Sequence, residues 1–312
     1  MPPLALALLT WVLCLAPVTL SLDNNNNNND YNASPPSFFT AFSSSSSSVT
    51  SSSKRTCSFL GGAVMTIPQQ QANRDASVPA LSSVTAEWNV AWLRPDAGVD
   101  YGDPDNRHGL GQWVGVLGTG CARPEWYPFL QAGTGVSMDE HGASVAYAWV
   151  EWFPAASQDI SKENMTVSPG DQMRVTVEVY SQTTGYVYLT NLSTNRSYSA
   201  PVSAPDATDP AQQICLGDGN AQVFAEWAIK DDRARPLVFN NVTFSRVSAT
   251  TAGQGGTTTT TTYDFGSAED TDLWDMSAGD AHFALPERVD NTTLRVYSPK
   301  GKDWDPLAAA GS

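Results

Sequence analysis

From Val84 to Trp92 the chain alternates, with Val84, Ala86, Trp88, Val90 and Trp92 on one side and Thr85, Glu87, Asn89 and Ala91 between them. A side-chain period of two fits a strand that lays one face on a core. The pattern recurs where Met173, Val175, Val177 and Val179 alternate with Gln172, Arg174, Thr176 and Glu178. Gly185 to Leu192 is rich in Tyr and Val and runs into a turn-like Asn191 to Asn195. Val242-Thr243-Phe244 and Leu294-Arg295-Val296-Tyr297 read as further short strands. Gly61-Gly62, Pro104-Asp105 and Pro169-Gly170-Asp171 supply the turns, and almost no stretch has helical spacing. Short strands at regular intervals predict an all-β fold, an antiparallel two-sheet β-sandwich.

The ends read differently. Residues 4–20 are almost wholly apolar, which predicts a secretory signal over 1–21; a retained anchor is the competing reading. Residues 22–55 form a low-complexity pro-segment, with Asn24 to Asn29 and Ser43 to Ser48 too polar to build a core. It ends at Lys54-Arg55, the only basic residues before position 56. That pair predicts cleavage by a processing peptidase, although two solvated linker charges would look the same. The mature chain then starts at Thr56, with one domain over 56–305 and a tail over 306–312. Gly253 to Thr262 is expected to be a mobile Gly/Thr surface loop rather than a linker between domains. The net charge is −15, and it is unchanged when the first 55 residues go, because two acids and two bases leave together. Such a surface repels nucleic acid and anionic membrane, so the product is expected to be a secreted, extracellular, soluble monomer. Sequons at Asn32, Asn164, Asn191, Asn195, Asn241 and Asn291 fit that route.

Four runs stand in order along the mature chain: Trp113-Val114-Gly115, Pro128-Phe129-Leu130-Gln131-Ala132-Gly133, Trp149-Val150-Glu151-Trp152-Phe153-Pro154 and Ala225-Glu226-Trp227-Ala228-Ile229-Lys230. Together they resemble the eqolisin, or glutamic peptidase, family of secreted acid endopeptidases over roughly Phe59 to Tyr297. The resemblance implies a concanavalin A-like sandwich with a concave cleft face, and an extended polypeptide as substrate. It assigns Trp113, Trp149 and Glu151 to the cleft, and Tyr147 to a position where active members often carry aspartate. It makes Gln131 one half of the catalytic pair. It also implies a disulfide between Cys121 and Cys215, worth about 4–5 kcal/mol in the chain-entropy account of a loop that long. Cys14 leaves with the signal, and Cys57 is then left over.

Chemistry supports Gln131, since a neutral amide donor can meet an oxyanion at any pH. The other half of the pair is a glutamate in the family, and here that position holds Lys230. An ammonium, with a reference pKa of about 10.4, cannot accept a proton from water in acid. Glu151 and Asp231 are the candidate substitute bases. Glu226 lies four residues from Lys230, roughly 13 Å along a strand. A local misalignment after Lys230 is the remaining alternative. Leu117 replaces another family acid. Two functions follow: an acid endopeptidase with a substitute base, or a non-catalytic relative whose cleft binds extended peptide or glycan. The histidines, His108, His141 and His282, are widely spaced, and no metal or cofactor motif appears.

Overall fold

The computed structural model describes residues 54–57, 60–67, 81–95, 100, 109–119, 128–215, 222–231, 238–251, 260–267, 270–278 and 280–306, with the backbone alone for 67, 119, 222–231, 270 and 278. The expected signal, the pro-segment up to residue 53, Asn32, Cys121, His108, residues 252–259 of the Gly/Thr loop and residues 307–312 lie outside them. Sixteen strands follow in order. They are β1 (Lys54–Cys57), β2 (Leu60–Ile67), β3 (Leu81–Asn89), β4 (Gly109–Thr119), β5 (Phe129–Met138), β6 (Ser144–Phe153), β7 (Gln158–Asp159) and β8 (Gln172–Ser181). They continue as β9 (Thr184–Asn191), β10 (Arg196–Ser203), β11 (Gln222–Asp231), β12 (Val242–Thr251), β13 (Thr261–Tyr263), β14 (Asp270–Ala278), β15 (Ala281–Arg288) and β16 (Leu294–Tyr297).

Hydrogen bonds link them in the order β10-β9-β8-β3-β12-β16-β15-β14-β2-β11-β4-β5-β6-β7. The path doubles back, so that β4 and β5 pack on β3, β8 and β9. The result is the two-layer β-sandwich that the alternation predicts. Between the layers lie Val84, Ala86 and Trp88 of β3, Val114 and Val116 of β4, Leu130 and Ala132 of β5, and Val175 and Val177 of β8. Two polar side chains that enter this core are paired. Trp88 Nε1 donates to Thr134 Oγ1 at 3.0 Å, and Gln112 accepts from the Ala91 amide at 3.0 Å.

Two expectations change. The alternation runs on paper to Trp92, but β3 stops at Asn89, where the Val90 amide turns to the Asp171 carbonyl. Trp92 is half-buried and lies outside the core. Not every strand is antiparallel: β1 runs parallel to β14, so Lys54 and Arg55 are strand residues. Arg55 Nε lies 2.5 Å from Asp272 Oδ2, and its guanidinium stands 5.6 Å over the Trp274 ring. Cys57, whose fate the sequence leaves open, is disulfide-bonded in the full chain, as is Cys215.

Candidate active site

The strand β6 divides its side chains as its sequence suggests. Ala146, Ala148, Val150 and Trp152 go to the core, while Tyr147, Trp149 and Glu151 occupy the other face. On β5 the core takes Leu130 and Ala132, which turns Gln131 the same way as Glu151. On β4 the core takes Val114 and Val116, which leaves Trp113 and Gly115 on that second face.

Register then collects the pieces. Gly115 pairs with Gln131, and Gln131 with Glu151. Gln131 Nε2 donates a hydrogen bond to Glu151 Oε2. One step along, Trp113 pairs with Gly133 and Gly133 with Trp149, which brings the two indoles to 6.2 Å. Gln131 and Trp113 are buried, yet Gln131 Oε1 and Trp113 Nε1 have no partner. Buried polar atoms are nearly always satisfied, so two unmet ones on one face mark a place where a ligand can supply the bond. Gly115 keeps that place open, because a Cβ there would stand 3.2 Å from the Gln131 Cβ.

The row extends past the residues singled out by sequence. Through β11, β2 and β14 it reads Glu151, Gln131, Gly115, Glu226, Val64, Asp272. Lys230 belongs to a different row, paired with Gly111 on one side and Leu60 on the other. That row continues through Gly135 to Tyr147. The Tyr147 ring lies on Gly135, where any Cβ would strike it. Lys230 therefore sits four residues, roughly 13 Å of strand, from the row that holds Gln131. Asp231 pairs with Leu110, one step farther still. At the opposite end Leu117, Phe129 and Phe153 share a row, with the two phenyl rings stacked at 4.8 Å. All three are buried, and together they make that end of the face apolar.

Other assignments fare unevenly. Asn191 cannot carry a glycan in this fold: it is fully buried, and its Nδ2 donates to the Thr166 carbonyl at 3.0 Å and to Asp171 at 2.7 Å. Asn164, Asn195 and Asn291 are exposed, and Asn241 is half-buried with its Nδ2 on the Lys302 carbonyl. His141 lies in an exposed turn, 3.5 Å from Glu140. Sequence reasoning did not find Gly115, Asp272 or Trp274 as cleft-face positions. The signal was present only in the strand order.

One face of the β-sandwich thus carries Trp113 beside Trp149 and Gln131 hydrogen-bonded to Glu151. The sequence pattern of the Peptidase A4 family matches residues 40–284, and the chain belongs to that family. It is 33% identical to Aspergillopepsin-2 of Aspergillus niger over 147 residues, covering 45% of this chain and 46% of the relative. It is 35% identical to Scytalidopepsin B of Scytalidium lignicola over 91 residues, covering 29% of this chain and 31% of that one. These matches thus span less than half of either relative. The fold is similar to that of scytalido-glutamic peptidase solved with a transition state analog inhibitor, with a TM-score of 0.53 and 20% identity over 77% of this chain and 98% of that chain.

Proposed function

We propose that the mature chain is a secreted acid endopeptidase in which Glu151 acts as the general base. The observation that carries this reading is the hydrogen bond from Gln131 Nε2 to Glu151 Oε2 beside the unmet Gln131 Oε1. Peptide hydrolysis needs a base for water and a donor for the oxyanion. Glu151 takes a proton from water as the water oxygen attacks the scissile carbonyl. The second Gln131 N–H meets the oxyanion, and Glu151, now a carboxylic acid, returns the proton to the leaving amine. A glutamate, with a reference pKa of about 4.3, is ionised in mild acid and can do both. Trp113 and Trp149 flank an extended polypeptide, and Leu117, Phe129 and Phe153 favour an apolar side chain at one end.

Lys230 favours a second reading, a groove that binds extended peptide or glycan without cutting. The register argues against a direct exchange of roles, since Lys230 does not share the row of Gln131. Cleavage after Arg55 fits the same secretory account and would have to lift β1 from β14. A Cys121–Cys215 bridge fits it too. Cys215 lies against Gly118, leaving no room for a Cβ there, and Cys121 follows three residues later. The test is digestion of a denatured protein by the purified mature chain from pH 2 to 6, with pepstatin present and Gln131→Ala beside it. Cleavage lost in Gln131→Ala supports the peptidase. No cleavage by folded wild type rejects it in favour of the binding groove.

A further inference from the structure

Away from the cleft, β8, β9 and β10 turn a second face outward. Met173, Val175, Val177, Val187 and Leu189 point to the core, which leaves Thr176, Glu178, Tyr180, Tyr186 and Tyr188 on the other side. Four large apolar or aromatic side chains are exposed among the described residues, and two of them are here, Tyr180 at 53% and Tyr188 at 39%. Exposed aromatic clusters are uncommon enough to need a reason.

Their geometry is that of a platform. Tyr180 donates its hydroxyl to Glu178 Oε2 at 2.7 Å. Residues two apart on a strand are separated by roughly 6.7 Å, so this bond draws the Tyr180 ring down along β8 with a face to solvent. The Tyr186 and Tyr188 rings sit 4.8 Å apart at 37°. Glu178 pairs in register with Tyr186, and Tyr188 with Ser199. Hydroxyls border the rings, with Thr190 and Ser197 joined at 3.1 Å. Three strands make the surface about 10 Å wide.

The chemistry selects a ligand. Ring faces attract the C–H faces of pyranoses, while a carboxylate and hydroxyls meet sugar hydroxyls. An anionic chain is disfavoured, because Arg174 on this face is drawn to Glu87 at 2.7 Å and the protein carries −15. We infer that the tyrosine face of β8–β10 binds a neutral, insoluble polysaccharide and holds the protein on a carbohydrate matrix. This site is independent of the peptidase reading.

The experiment measures depletion of the mature protein from solution by microcrystalline cellulose and by chitin. Wild type should be depleted by at least one of them, and Tyr180→Ala/Tyr188→Ala should lose at least tenfold in apparent affinity while cleaving soluble peptide as before. Tyr180→Ala alone, at the most exposed ring, should lose severalfold and covers the case in which the double variant unfolds. Tyr180→Phe should stay within about threefold of wild type, since it keeps the ring. Retention of wild type by neither matrix, or equal retention of wild type and Tyr180→Ala, overturns the proposal. So does a wild-type dimer in sedimentation velocity that the same substitutions dissociate.

Discussion

Glu87 on β3 and Gln131 on β5 are both buried polar side chains, and the fold treats them in opposite ways. Glu87 Oε1 receives Arg174 Nε at 2.7 Å, Arg174 Nη2 at 2.5 Å and Arg246 Nη1 at 3.2 Å. Gln131 gives one N–H to Glu151 and leaves its carbonyl oxygen without a partner, as Trp113 Nε1 is left on the same face. An unsatisfied buried group costs about 1–3 kcal/mol, which a structural site would avoid. A saturated network holds the outer sheet together. The unsaturated one holds a place for something else.

This contrast can be broken at several points. Gln131→Ala should lower kcat/KM on a denatured protein by about 10²–10³, the loss typical of one oxyanion donor. Its melting temperature should hold or rise, because an unmet oxygen goes with the side chain. A fall in melting temperature without loss of turnover would make Gln131 structural. Next in size, Glu87→Ala should cost about 2 kcal/mol in urea unfolding, with turnover per folded molecule intact. The figure stays below that for an isolated buried charge because Arg174 and Arg246 are 46% and 73% exposed and regain water. Leu117→Asp should change the cleavage preference more than the rate, read as a several-fold shift away from apolar residues in a peptide library. Smallest is Asp290→Asn. The Thr292 backbone N–H, ahead of the Thr293 and Thr292 hydroxyls, holds the Asp290 carboxyl below the usual range. A lowered pKa stabilises above the ordinary Asp value and stops doing so as pH falls through the lowered one. The variant should melt slightly below wild type at pH 5 and together with it near pH 2.

Much of the sandwich could be read from the chain. Period two in β8, the short strand at β16 and the turn at Asn191 to Asn195 survive as drawn. Trp113, Trp149, Gln131 and Glu151 were nameable through resemblance and do meet on one face. Register was not legible, since nothing local says which residue of β11 faces Gln131. That is why Glu226, rather than Lys230, appears in its row only once the strands are paired. The role of Lys54-Arg55 as a strand depended on β14, more than 200 residues away. The Asn191 sequon was legible as a motif, but its burial depended on Thr166 and Asp171.

The central claim is that the carboxylate beside Gln131 activates water. The direct test is the rate at which Glu151→Gln, nearly isosteric and still able to bond Gln131, digests denatured protein at the optimum pH of the wild type, next to Lys230→Ala. The account predicts that Glu151→Gln falls to background while Lys230→Ala keeps most of the rate. Undiminished cleavage by Glu151→Gln would contradict it and send the search for the base to Glu226.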